Sequence, residues 1–179
     1  MRLPRRILFV VAALLPLASC SSDPEYKDPE AHEKTELLQA RCTPLLLGTW
    51  HIEHTAERVR YFERLTFLDD GKLCGTRKCQ TRRLETVDGS QRYTDWETPE
   101  LLNGSFSGIW QLRWERDENG VGHEKIILYA AFDEMDYVAY SCDVLFNLVG
   151  EDILRINGLA HSNADGWTEY RKGDAAPSF

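Results

Sequence analysis

From Gly104 to Glu115 every second residue is apolar or small: Phe106, Gly108, Trp110, Leu112 and Trp114. Between them stand Ser105, Ser107, Ile109, Gln111, Arg113 and Glu115. A strand sends successive side chains to opposite faces, so this stretch reads as a strand with one apolar and one mostly polar face. Two tryptophans and a phenylalanine each bury about 150–250 Å² and together require a large enclosed interior. A closed or strongly curved antiparallel sheet provides one.

The surrounding sequence has the same character. Asx-Gly pairs recur at Asp70-Gly71, Asp88-Gly89, Asn103-Gly104, Asn119-Gly120, Asn157-Gly158 and Asp165-Gly166. Both residue types accept the positive φ of tight hairpin turns, and an Asx-Gly pair inside a strand marks a bulge, a reading open for Asn157-Gly158. The β-rich runs between them are Tyr61–Leu68, Gln91–Trp96, Gly104–Glu115, His123–Phe132, Tyr137–Val149, Asp152–Leu159 and Trp167–Arg171. In the fifth run Val138, Tyr140, Cys142, Val144, Phe146 and Leu148 form a second wholly apolar face. Strands at this pitch without intervening helices predict an all-β, up-and-down antiparallel meander, and closing it into a barrel removes its exposed edges. A helix precedes them. Asp28 is its N-cap, Pro29 its first residue, and Ala31, Thr35, Leu38 and Cys42 share one face, with Pro44 as the predicted end.

Ahead of the helix, Arg2, Arg5 and Arg6 precede an apolar run, Ile7–Leu17, that is too short to span a bilayer. Leu17-Ala18-Ser19-Cys20 closely resembles the bacterial lipoprotein box. The resemblance implies a signal peptide over residues 1–19, cleavage before Cys20 and lipid on its sulfur. Residues 20–28 then form a flexible tether, and 29–179 a single domain. Ser21 follows where an inner-membrane retention signal would place aspartate. Asp23 and Glu25 resemble the acidic tag of surface-exported lipoproteins. The expected location is the bacterial outer membrane, lipid-anchored, on its periplasmic or cell-surface side.

Removal of residues 1–19 takes away three of 21 basic side chains and none of the 29 acidic ones. The remainder carries 18 − 29 = −11 formal charges. Such a balance argues against a nucleic-acid partner, which selects a basic footprint. With Cys20 lipidated, Cys42, Cys74, Cys79 and Cys142 remain, an even number in an oxidising compartment. Four cysteines allow three pairings. The expected one joins Cys74 to Cys79 across a local loop and Cys42 to Cys142 over long range. A zinc site lacks the second closely spaced cysteine pair it would need.

Gly48-Thr49-Trp50, following a helix and opening a meander, resembles the motif that begins the first strand of lipocalin-like (calycin) domains, and this resemblance implies an all-β, up-and-down antiparallel barrel of about eight strands after a short N-terminal helix. Phe67-Leu68-Asp69-Asp70-Gly71, Trp110-Gln111-Leu112 and the stretch from Leu145 to Ile156 are also similar to bacterial members. The resemblance implies that Trp50 plugs a closed barrel end and that a late arginine packs across it, Arg171 by position or Arg155. Thr94-Asp95-Trp96 has the letters of a late family loop motif but precedes the central strand.

Reactive constellations are sparse. In His51-Ile52-Glu53-His54 the two histidines fall on opposite strand faces, so no metal site is expected. His123 and His161 lie beside turns. Asp69/Asp70, Asp133/Glu134/Asp136 and Glu151/Asp152 cluster at turns, and nothing sets two carboxyls in contrasting environments as acid–base catalysis requires. Neither an enzyme nor a cofactor is expected. Arg77, Lys78, Arg82 and Arg83 form a basic group suited to an anionic ligand head or acidic partner, or to local balance against nearby glutamates. Trp50, Phe106, Trp110, Trp114, Tyr140 and Phe146 either line a ligand site or fill the barrel. The expected function is binding of a small apolar or amphipathic molecule. The alternative is a solid-core barrel serving an outer-membrane assembly as an interaction or structural lipoprotein.

Overall fold

Eight antiparallel strands close edge to edge in the computed structural model, which describes residues 28–99, 103–159 and 163–179. The signal peptide, Cys20, most of the tether and His161 lie outside these residues. The wall runs β1 (Gly48–Thr55), β2 (Val59–Phe67), β3 (Lys72–Thr81), β6 (Gly104–Arg116), β7 (Gly122–Phe132), β8 (Val138–Val149), β9 (Ile153–Asn157) and β10 (Trp167–Lys172). β10 pairs back onto β1 and leaves no open barrel edge. β4 (Leu84–Val87) and β5 (Ser90–Tyr93) form a separate hairpin outside the wall. Its turn, Asp88-Gly89, has both φ angles positive, as a two-residue hairpin requires.

Helix α1 (Pro29–Leu46) lies across one barrel end. Asp28 caps it, accepting from the Ala31 N–H at 3.0 Å. Leu38, Cys42 and Leu46 are its buried stripe, and Gln39 donates to the Leu112 carbonyl of β6 at 3.1 Å. The helix passes through Pro44 rather than ending there, since in a last turn proline removes one backbone bond while Leu46 gains full burial. Its free terminal carbonyl at Leu46 accepts the Trp50 indole N–H at 2.7 Å. Gly48, at φ +107, turns the chain from helix into β1.

Pairing register decides which residues face inward. Leu65 of β2, Gly75 of β3 and Phe106 of β6 lie in one row. A Cβ at Gly75 would collide with the Phe106 ring and the Arg64 carbonyl, so glycine is what lets that ring cross the interior. The segment expected as a loop between Cys74 and Cys79 is instead the middle of β3. Its alternation of Leu73, Gly75, Arg77 and Cys79 conceals a strand because a glycine and an arginine occupy inward positions. The run expected over Gln91–Trp96 stops at Tyr93 and pairs with β4. Asn103-Gly104 starts β6 instead of making a turn, and Gly158 closes the β9–β10 loop by donating to Gly166 at 2.9 Å. On β8 the apolar face is buried at Tyr140 and Phe146, while Val138 is exposed beyond the register shift at Ala130/Ala131.

Candidate functional site

The two ends of the interior differ in chemistry. Beneath α1, Trp50 is wholly buried among Leu46, Leu65 and Leu154 within one continuous apolar cluster. Trp110 packs edge-on against Phe67 at 5.3 Å and donates its indole N–H to the Leu68 carbonyl at 3.0 Å. Phe146 is buried in the same cluster. Trp114, expected inside, sits half-buried at the rim, its ring under Lys34 at 4.3 Å. Here side chains fill the barrel. The cation over Trp50 is Lys172, at 5.2 Å, rather than an arginine. Arg171 has the outward parity of β10 and faces Glu169 at 3.9 Å, while Arg155 pairs with Asp165 at 2.7 Å.

Toward the other end the inward positions turn polar. Glu63 of β2, 0% exposed, accepts four hydrogen bonds. Its Oε2 receives the Tyr61 hydroxyl at 2.6 Å and Arg77 Nε at 2.5 Å; its Oε1 receives Tyr170 at 2.7 Å and Tyr140. A carboxylate offers about four such sites, so none is left over. Arg77 also donates to the Ala139 carbonyl at 3.3 Å, and its guanidinium lies 5.2–5.7 Å from the rings of Tyr140, Phe132 and Phe106. Burial, the largest influence, works against the Arg77 charge, but the charge and hydrogen bond of Glu63 together with Tyr61 and Tyr140 outweigh it and raise the guanidinium pKa. Burial first, then the Glu63 charge, holds the hydroxyls of Tyr61, Tyr140 and Tyr170 well above the usual tyrosine value. The cluster is a neutral ion pair with three protonated phenols.

A cavity of about 180 Å³ adjoins this cluster. Arg77, Tyr61, Tyr140 and Tyr170 line it on one side, Ala139, Cys142, Gly158 and Leu159 on others. Of the residues singled out from sequence, Tyr140 alone of the aromatics and Arg77 alone of the basic group reach it. Glu63, Tyr61 and Tyr170 complete the cluster and are not among the residues that the sequence singles out. The signal for Glu63 is its inward parity among Tyr61, Leu65 and Phe67, which leaves a carboxylate in need of an internal cation.

The basic group does not form one patch. Arg77 points inward, whereas Lys78, one residue on, points out and donates to the Phe179 carbonyl. Arg83 pairs with Glu97 at 3.2 Å. Arg82 lies between two aromatic rings, Tyr93 at 4.3 Å and Trp96 at 4.5 Å.

The expected disulfides are corrected: Cys42, Cys74, Cys79 and Cys142 are free thiols. Cys74 and Cys79 stand five residues apart on one strand, hence on opposite faces and about 16 Å apart. Cys42 packs under the helix beside Phe146 and Leu148, while Cys142 lines the cavity toward the other end. Burial pushes the Cys142 thiol up to about 11 and raises that of Cys79 as well. His51 Nδ1 contacts the Gly173 carbonyl at 2.9 Å, and His123 pairs with Asp117 at 3.0 Å. Among the described residues no three His, Cys, Asp or Glu side chains gather in a metal-binding group. No protein-family model matches the sequence, and no curated protein or solved structure matches it either.

Proposed function

We propose that the chain is a membrane-anchored, non-enzymatic, lipocalin-like lipoprotein of the bacterial outer membrane that holds a small amphipathic molecule at the polar end of its barrel. The observation that carries the reading is the cavity beside Arg77 and the three tyrosines, which sets hydrogen-bonding groups against apolar walls of Ala139, Leu159 and Cys142. Ligand sites are mostly apolar with a few placed polar groups, and this wall has that make-up. At 180 Å³ it matches about six waters at roughly 30 Å³ each, so the ligand is small. Cys20, in its lipoprotein box, carries the anchor. Each acyl chain stabilises membrane binding by about 0.8 kcal/mol per buried CH₂.

A second reading has its own support. The filled interior under α1 favours a barrel that acts through its outer surface, as an interaction lipoprotein of an outer-membrane assembly. Native mass spectrometry of detergent-extracted protein separates the two. The first reading expects the acylated mass together with a small adduct that is lost in Tyr140→Trp, which fills the cavity. A ligand-free mass for both proteins favours the second, and acyl labelling that persists in Cys20→Ala would overturn the anchor.

A further inference from the structure

We infer that the outer face around Trp96 is a docking site for an acidic, extended polypeptide segment. Arg60 of β2 lies 4.2 Å from the Trp96 ring and Arg82, just past β3, lies 4.5 Å from it. Arg82 also stacks on Tyr93 at 4.3 Å, while Arg60 and Lys78 approach the Phe179 ring at 6.0 and 5.0 Å. The result is an alternating stack: Tyr93, Arg82, Trp96, Arg60, Phe179, Lys78. The segment carrying Trp96 is fixed to β3 by paired backbone bonds between Thr81 and Glu97, at 2.8 and 2.9 Å.

Charge separates this face from the rest. Among the described residues, Arg58, Arg60, Lys78, Arg82, Arg92 and Lys172 have no side-chain carboxylate at ion-pair distance, while every other Lys and Arg has one. Five of those six lie between residues 58 and 92, around the stack; Lys172 sits at the far end over Trp50. On a chain of −8 formal charges, or −11 without residues 1–19, most of the surface repels an acidic partner and this face admits one, which orients the encounter.

Two features select a polypeptide. The faces of Trp96 and Tyr93 are already taken by guanidiniums, which limits stacking by a sugar or base. The guanidinium edges still offer N–H forks matched to carboxylates. The β4–β5 hairpin, which contributes Tyr93, has two strands and, among the described residues, no third. Its edges present backbone groups that another peptide strand can pair with.

The test uses full-length lipidated protein in detergent micelles. A fluorescein-labelled peptide of alternating glutamate and threonine is titrated by fluorescence anisotropy, with its glutamine analogue alongside. The glutamate peptide binds, more weakly as salt rises, and the glutamine analogue does not. Arg60→Gln with Arg82→Gln weakens binding about tenfold, a loss of about 1.4 kcal/mol. Arg41→Gln with Arg171→Gln, the same charge change elsewhere, leaves it within about twofold. Circular dichroism melting of both variants establishes that they are folded, and Arg60→Lys supplies a milder change should the double variant melt early. Equal loss in both pairs, or no binding of the glutamate peptide, overturns the inference. Binding of dextran sulfate or phosphatidylglycerol vesicles in place of the peptide overturns it too.

Discussion

The helix end and the polar end of this barrel solve the same problem, a filled interior, by opposite means. Under α1 the filling is hydrocarbon: Leu38, Leu46, Trp50, Leu65, Trp110 and Leu154, with each indole N–H sent to a nearby backbone carbonyl. Around Glu63 the filling is a closed set of charges and hydroxyls in which every carboxylate lone pair has a donor. The first kind tolerates loss in proportion to volume removed. The second is all or none, because one missing member leaves a buried group unpaired.

That difference predicts its own largest effect. Arg77→Ala strips the fully buried Glu63 carboxylate of its counter-ion, and should cost about 3–5 kcal/mol. Replacing the whole set at once, with Glu63→Leu, Arg77→Met and Tyr61, Tyr140 and Tyr170→Phe, removes the unpaired groups together. It should lie within about 2 kcal/mol of the parent in chemical denaturation. A multiple variant that falls as far as Arg77→Ala would mean that the charges stabilise the barrel in their own right.

At the helix end Trp50→Ala should cost about 4 kcal/mol, the middle of the range for a buried aromatic cut back in a core. No companion substitution on the scale of the polar set rescues it, because the loss is volume and not an unpaired partner. A change below about 1 kcal/mol would place Trp50 outside the core that organises the barrel end.

The pH response distinguishes the ends as well. Tyr61, Tyr140 and Tyr170 have folded pKa values above the unfolded value of about 10. The fold therefore holds protons that the unfolded chain releases, so stability is intact below pH 10 and falls as pH rises beyond it. The slope is about 1.4 kcal/mol per pH unit for each tyrosine that stays protonated in the fold. Ultraviolet titration should find three of the seven tyrosines ionising only on unfolding. Tyr140→Phe and Tyr170→Phe should each flatten the slope, whereas Trp50→Ala lowers the whole curve without changing its steepness.

How much of this was legible in the sequence follows the same division. The apolar end was readable, because Trp110 and Leu112 at period two and the helix stripe of Leu38 and Cys42 are signals of burial by size and spacing. The closed barrel follows from them; the count of about eight comes with the Gly48-Thr49-Trp50 resemblance, since the β-rich runs omit β3 and include Gln91–Trp96, which lies outside the wall. The polar end was not, since glutamate and arginine on a strand ordinarily mean solvent, and only the pairing of β2 with β3 brings Glu63 opposite Arg77. A reading that places a loop between Cys74 and Cys79 cannot show that register. Adjacency in sequence groups Arg77 with Lys78, whereas strand parity sends the two to opposite faces. The stack around Trp96 was hidden for a related reason: β2, β3 and the segment after β5 each supply a piece, and no single stretch shows alternation of arginine with aromatic residues.

The smallest effect concerns the cysteines, which bear on how independent the two ends are. A Cys42–Cys142 bond would tie the helix end to the cavity, and a disulfide typically stabilises by about 2–4 kcal/mol. Cys42 instead lies beside Phe146 and Leu148, and Cys142 is four residues back along β8 from Phe146, about 13 Å at strand spacing. No rotamer closes that gap. Reduction with dithiothreitol should therefore leave the melting temperature unchanged, and mass mapping without reductant should recover four unlinked cysteine peptides. Alkylation of the folded protein should begin at half-buried Cys74, with Cys42 shielded by burial and Cys79 and Cys142 slowed by raised thiol pKa values. A melting temperature that drops on reduction would show a covalent link between the ends, and the separate behaviour predicted for Arg77 and Trp50 would no longer be expected.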